Sequence, residues 1–246
     1  MTNSWSYSYY STAQRCLALY KAIVIDKVVH YKHDDGDLEF GSALHAAINA
    51  SLQGGSAAEV FSLYWESLKT KNIQYGRYKW EDCKNLGFDF SRKFDKTYKD
   101  KFIPKYMEQR MYADYKGLKF EGTADYIGLY LNKPSVFDWK TSGYNYDERK
   151  IENAIQMNLY AFLVYSELQY VPEQLGYLVF NKGTGSIQKP IVTEFSFKKM
   201  YSMLDDMLDY CESIDKKQTY PRNPGNCIIG TKVCPMFSKC WKEPYE

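Results

Sequence analysis

The chain has 246 residues, 45% of them apolar and 25% charged, with a formal net charge of +2. That length and composition suit one sizeable folded domain and exclude a disordered chain, while the near-neutral charge does not by itself announce a nucleic-acid binder. No apolar run approaches the roughly 20 residues that span a bilayer, and MTNSWSYSYYSTAQRC lacks the basic-then-apolar order of a secretory leader. The chain is therefore expected to be cytoplasmic and bound to no membrane. Cysteines stay reduced there, so clusters among the six are read as metal ligands before disulfides. Most of the 24 tyrosines are expected to pack, although the residue also stacks on bases.

In chain order, residues 1–100 are mainly helical. Residues 41–51 place Leu44, Ala47, Ile48 and Ser51 on one helical face, and residues 57–68 do the same with Val60, Phe61, Tyr64, Trp65 and Leu68. Residues 69–101 are charged and aromatic and carry no clear period. Strands follow at 118–122 and 124–131, a turn at Asn132-Lys133-Pro134, and a short strand at 135–140. A helix over 152–169 has a stripe of Ile151, Ile155, Leu159, Phe162 and Leu163. Then come a buried strand at 175–181, a Gly-rich turn at 182–186, a strand at 187–197 and an amphipathic helix at 198–216. A tail rich in Pro, Gly and Cys runs from Thr219. Helices, a meander, then helix, strand, strand, helix predict a mixed α/β core with helical additions.

Asp138 and Lys140 stand two apart on a strand and point to one side, and Asp125 precedes them across a hairpin. Two carboxylates and an ammonium in one small volume suit hydrolysis of phosphodiesters with divalent ions: the carboxylates hold Mg²⁺ or Mn²⁺, and the lysine orients water or offsets developing charge. Taken alone, Asp138 and Lys140 also read as a solvated edge-strand ion pair. Asp82–Lys84, Glu148–Lys150 and Asp215–Lys217 repeat the acid-x-Lys pattern, without an apolar strand or a partner acid upstream. Three more features add weight. Gln156 and Tyr160, four apart, share a helical face toward the site. His45 lies in GSALHAAINA, where a histidine is usually a core residue but joins carboxylates readily as a ligand. Glu108, in YMEQR, offers another acid.

His45, Gly122-x-x-Asp125, Asp138-x-Lys140 and Gln156-x-x-x-Tyr160 together resemble the motif series of the PD-(D/E)xK superfamily, and most of all its RecB-like branch. The resemblance implies a restriction-endonuclease-like core, a central mixed sheet flanked by helices, with an N-terminal helical insertion and a Cys-rich C-terminal tail. Residues 1–246 would form a single nuclease domain, with the catalytic α/β core at 101–218 and the tail at 219–246. It also implies metal ligation by His45, Asp125, Asp138 and the Trp139 carbonyl, catalysis by Lys140, and contacts to DNA or to the site from Gln156 and Tyr160. Glu108 matches an upstream acid of the family more loosely. The activity implied is a metal-dependent deoxyribonuclease, an exonuclease more than an endonuclease, acting on DNA with a free end in recombination, repair or replication, with a possible protein partner. The alternative is a non-catalytic DNA-binding or assembly subunit that keeps the fold. Lys182, Arg149 and Lys150 are candidate phosphate contacts.

Cys227, Cys234 and Cys240 crowd the tail, and Cys16 is the candidate fourth ligand. This is similar to AddB-type and CRISPR-adaptation nucleases, in which one N-terminal and three C-terminal cysteines hold an iron–sulfur cluster. The six-residue gap between Cys227 and Cys234 is wider than that family's, whereas the five-residue gap to Cys240 matches it. The resemblance implies a structural 4Fe–4S cluster, with Zn²⁺ the alternative. Cys211 falls on an apolar helical stripe and is expected in the core; Cys83 is left over.

Overall fold

The computed structural model describes residues 4–28, 36–73, 75, 78–229, 232–237 and 240. Parts of the Cys-rich tail expected over 219–246 therefore lie outside the described residues. The chain opens with strand β1 (Trp5–Ser6), helices α1 (Tyr7–Arg15) and α2 (Leu17–Tyr20), and a π-helical turn at Lys21–Ile25. Helices α3 (Gly36–Leu52), α4 (Ala57–Ser67) and α5 (Trp80–Thr97) follow. Then come β2 (Phe102–Tyr115), β3 (Leu118–Tyr130), β4 (Lys133–Ser142), α6 (Arg149–Glu152), α7 (Ile155–Leu168), β5 (Gln174–Asn181), β6 (Ser186–Ile187), β7 (Ile191–Glu194) and α8 (Phe197–Asp215). The tail contributes the small hairpin β8 (Ile228–Ile229) and β9 (Lys232–Val233). No helix among the described residues is long and apolar enough to cross a membrane.

The central sheet is mixed, as expected. β2–β3 and β3–β4 are antiparallel, β4–β5 is parallel across the α6–α7 crossover, and β7 and β6 share the outer edge of β5. β4 pairs with β3 only over Tyr126–Tyr130; beyond that the edge of β3 is taken up by β1, parallel at Phe120 and Glu121. The N-terminal part, expected to be mainly helical, thus also completes the sheet.

Two aromatic-rich layers cover it. On one face α1, α7 and α8 bury Val136, Leu159, Tyr160, Leu163, Tyr177 and Leu204. On the other, α3, α4 and α5 bury Phe40, Leu44, Phe61, Trp65, Phe90, Phe137 and Trp139. The alternation of Val136, Phe137 and Trp139 between these layers sends Asp138 and Lys140 to the α7 side.

Several sequence expectations shift in detail. Residues 69–101, left without assignment, contain α5, whose buried residues Cys83, Gly87, Phe90 and Phe94 recur at helical spacing beneath a heavily charged outer face. The 118–122 and 124–131 segments are one strand. The hairpin turn lies one residue earlier than expected, at Leu131–Asn132, both at positive φ (51° and 64°) as a two-residue primed turn requires. The 152–169 helix breaks at Asn153–Ala154, and Pro190 splits the 187–197 strand.

Gly87 is where α4 and α5 meet. A Cβ there would stand 1.8 Å from Phe61 Cζ, and Phe61 is fully buried, stacked 5.8 Å from Trp65 and edge-on to Phe40 at 5.7 Å. Gly87→Ala is expected to destabilise by about 1–3 kcal/mol despite the better helix propensity of alanine. At about 2–4 °C per kcal/mol for a chain of this size, thermal unfolding followed by circular dichroism reads the effect directly.

Candidate active site

The site forms where β3 and β4 part. The ladder ends at Tyr126–Phe137, so Asp125 and Asp138 occupy the first unpaired positions on the diverging strands. The other edge of β3 is irregular at the same level. Met107 pairs with Tyr126 and Gln109 with Ala124, which leaves Glu108 and Asp125 out of the ladder. Glu108 has a φ of 48°, a left-handed conformation costing a non-glycine residue about 1–2 kcal/mol. Ala124 and Ile127, three apart, face the same layer, so β3 slips phase at Asp125 as well. Two local irregularities thus turn two carboxylates toward one point, as strain at functional sites commonly does.

Asp125 is 7% exposed. Its Oδ2 accepts the Trp139 backbone N–H at 2.7 Å, a donor that strand divergence would otherwise leave unpaired. Its Oδ1 lies 3.5 Å from His45 Nδ1, and Glu108 Oε1 lies 3.7 Å from the same nitrogen. The other ring nitrogen of His45, Nε2, is 3.0 Å from the Trp139 carbonyl. His45 reaches the site from α3, the opposite layer. Burial alone would lower its pKa; the Asp125 and Glu108 carboxylates, with the charge of Asp138, outweigh that and push it up to about 10. His45, Glu108 and Asp125 can each bring one ligand atom within 4.8 Å of the others.

Asp138, 3% exposed, belongs to a second, linked group. Lys140 Nζ stands 2.7 Å from Asp138 Oδ2 as an ion pair, without hydrogen-bond alignment, so this buried oxygen has no hydrogen-bond partner. Gln156 spans the pair: its Oε1 accepts from Lys140 Nζ at 3.0 Å, and its Nε2 donates to Asp138 Oδ1 at 3.2 Å and to Tyr160 Oη at 2.9 Å. Only this amide orientation serves a cation and a carboxylate together. Burial and then the Asp125 charge raise the Asp138 pKa above the usual carboxylate range. Burial would lower the Lys140 pKa, but the adjoining Asp138 carboxylate holds it up, so the ammonium persists.

Each site residue named from sequence except the cysteines therefore falls around this one fork. The grouping differs from the expected ligand set, because Glu108 joins His45 and Asp125 while Asp138 sits with Lys140 and Gln156. Gly122 makes room for it: a Cβ there would lie 2.9 Å from both Tyr160 Cε1 and Leu163 Cδ1. A cleft of about 260 Å³ lined by Tyr7, Arg110, Gly122, Thr123 and Tyr160 opens alongside. Tyr177 was missed from sequence. It pairs in register with Asp138, and Lys140 Nζ lies 5.7 Å from its ring centroid; the period of two along β5 was the available signal. Of the candidate phosphate contacts, Lys182 is committed to Asp37 at 2.5 Å and Arg149 to Asp147 at 2.7 Å, leaving Lys150.

The donor set fits a divalent ion. Carboxylate oxygens of Asp125, Asp138 and Glu108, an imidazole and a main-chain carbonyl are what Mg²⁺ or Mn²⁺ accepts, and the buried Asp138 Oδ2, ion-paired to Lys140 but accepting no hydrogen bond, keeps lone pairs for a cation.

The cysteines gather elsewhere. The tail folds back on α1 and α2: Asn223 and Asn226 donate to the Arg15 carbonyl at 3.1 and 2.8 Å, and Ala18 N–H donates to Pro221 O at 3.2 Å. Cys234 N–H donates to Cys227 O at 2.8 Å. Cys16, Cys234 and Cys240 share a small apolar cluster with Ala18, Leu19 and Met236. Burial raises the Cys240 thiol pKa, Arg222 opposes this, and Cys16, Cys227 and Cys234 add to the rise. Cys211 is fully buried, as expected, and Cys83 is buried in the other layer.

The fold has a solved counterpart in "Putative exonuclease" from Eubacterium rectale, with 12% identity, a TM-score of 0.58, and coverage of 97% of this chain and 94% of that one. The structure of SSO0001, 16% identical over 92% of this chain and 95% of its own, superposes with a TM-score of 0.34, too low to support an argument. No curated protein matches. The family model described as the PD-(D/E)XK nuclease superfamily matches residues 4–240, from the edge strand at the N-terminus to the last cysteine of the tail. With the forked strands and their acids lying inside that match, the chain belongs to the PD-(D/E)XK nuclease superfamily.

Proposed function

We propose that this protein is a Mg²⁺- or Mn²⁺-dependent DNA exonuclease of the RecB-like branch, acting at DNA ends in recombination, repair or replication in the cytoplasm. The observation that carries the reading is the convergence of Asp125, Glu108 and His45 with the Asp138–Lys140–Gln156 network at one strand fork. The exonuclease element draws on the name of the Eubacterium rectale protein.

His45, Asp125, Asp138 and the Trp139 carbonyl would hold the ion, with Glu108 close enough to join them. When bound, a divalent ion supplies positive charge to the phosphate and lowers the pKa of water. The chain's own residues do the rest. Lys140, kept charged by Asp138, offers N–H donors to a phosphate or water oxygen as negative charge develops. Gln156 holds that ammonium in place, and Tyr160 holds Gln156.

The test is degradation of end-labelled single- and double-stranded DNA with Mg²⁺, Mn²⁺ or EDTA. Stepwise loss of label with either ion and none in EDTA is expected. A mobility shift without cleavage under every condition would establish instead a non-catalytic binder that keeps the fold.

The same reading gives the four cysteines a structural 4Fe–4S cluster that pins the tail to α1. Zn²⁺ held by the same four thiolates is the alternative occupant. Protein purified without oxygen is expected to be brown, with iron and acid-labile sulfide in equal amounts, and Cys16→Ser to lose both. A colourless, iron-free preparation of the wild-type chain would remove the cluster.

A further inference from the structure

The loop that follows Lys140 is built more firmly than a connection needs. Tyr144 N–H donates to Ser142 Oγ at 3.2 Å, and Asn145 Oδ1 accepts from Asn181 Nδ2 at 2.7 Å. Gln188 clamps Tyr146 from both sides, accepting its N–H at 2.8 Å and donating to its carbonyl at 2.7 Å. Side chains from three strands or their flanks thus fix a solvent-facing segment.

What they fix is aromatic and cationic. Tyr144 is 66% exposed, its ring centroid 6.2 Å from that of Tyr146 at an interplanar angle of 40°. Lys150 Nζ sits 3.4 Å from the Tyr146 centroid, and no carboxylate pairs with it among the described residues. Its neighbour Arg149 is held by Asp147. Tyr146 packs edge-on against Tyr177 at 5.9 Å, and Lys140 lies over the Tyr177 ring. Two ring contacts therefore link the exposed tyrosine to the catalytic fork. Partial burial and the Lys140 charge both lower the Lys150 pKa, so the two ammoniums share one electrostatic neighbourhood.

An exposed, preorganised aromatic face beside an unpaired cation recognises a base with its phosphate, and the base must be unstacked to present its face. In a duplex that face is covered by its neighbours. We propose that residues 143–150 form a single-strand platform, on which Tyr144 stacks with an unpaired base and Lys150 holds the adjoining phosphate next to the scissile bond. The platform makes single-stranded ends the preferred substrate, and it rests on the nuclease reading above.

The experiment compares binding of a fluorescent oligothymidylate and a blunt duplex of the same length by the full chain, in Ca²⁺. Tyr144→Ala is expected to weaken oligothymidylate binding about tenfold or more while changing duplex binding less than about twofold. Tyr144→Phe, which keeps the stacking face, is expected to bind as the wild type does. Lys150→Ala is expected to lower the slope of log affinity against log salt by about 0.7, the value for one phosphate contact on a single strand. Tyr144 is largely exposed, so these losses would not come from misfolding. An unchanged oligothymidylate affinity in Tyr144→Ala, or equal losses on both substrates, would overturn the platform alone. Absence of DNA binding by the wild type would overturn the nuclease reading and the platform with it.

Discussion

Cleavage is expected to fall at least about a hundredfold to a thousandfold in Lys140→Met and in Asp125→Asn, with folding retained in both. Lys140→Met keeps an unbranched stem against Tyr177 and removes the charge that is offered to the reacting phosphate. The buried Asp138 left behind can take up a proton, because burial and Asp125 already favour its neutral form. Asp125→Asn keeps an oxygen for the Trp139 N–H and removes the anion that draws His45, and with it a divalent ion, into the fork. Asp125→Ala is expected to lose the same activity and about 1–3 kcal/mol of stability, since a buried N–H then has no partner. Single-turnover cleavage and urea unfolding of the three variants separate chemistry from structure. Near wild-type rates in either Lys140→Met or Asp125→Asn would remove the site assignment.

Mn²⁺ affinity is expected to rise about tenfold per pH unit between pH 6 and 8.5. His45 must be neutral to serve as a ligand, and the surrounding carboxylates push its pKa up to about 10. Over that whole range a proton therefore competes with the ion, and binding releases about one proton. Asp138, whose pKa is also raised, competes in the same direction at the acidic end and steepens the slope there. Titration calorimetry in two buffers of different ionisation enthalpy counts the protons. A pH-independent affinity, or no proton release, would refute the competition, and His45→Ala should flatten the slope.

The sign for stability follows from the same group. The folded-state pKa of His45 lies above its unfolded value, so its contribution is complete below about pH 6.5 and is lost as pH rises through about 10. Ionising Asp138 against burial acts in the same sense at lower pH. In EDTA the protein is thus expected to lose stability as the solution turns alkaline, while saturating Mn²⁺ opposes that loss.

Much of this chain was readable as pattern. The α7 stripe, the β5 strand and the helix at the end of the core are set by apolar spacing, a local property that tertiary packing rarely reverses. Asp138, Lys140, Gln156 and Tyr160 were legible for the same reason, since spacings of two on a strand and four on a helix put them on known faces. α5 was harder to see because its charged outer face drowns a narrow buried stripe of Cys83, Gly87, Phe90 and Phe94. β2 was harder still: its inward positions are mostly half-buried, and its alternation slips phase at Tyr106–Met107.

The forking of β3 from β4 at Asp125 and Asp138 is the feature that only the tertiary structure decided. No residue type announces where a ladder stops, because the divergence follows from β1 taking up the edge of β3 while β5 holds β4 in parallel register. The fork decides that Asp125 serves the Trp139 N–H, that His45 can reach in from the opposite layer, and that Glu108 rather than Asp138 stands beside it. The sequence by itself determined which chemical groups this protein carries and on which local faces. Packing of segments distant in the chain decided which of those groups meet, because burial and strand exchange act through space and leave no period along the chain.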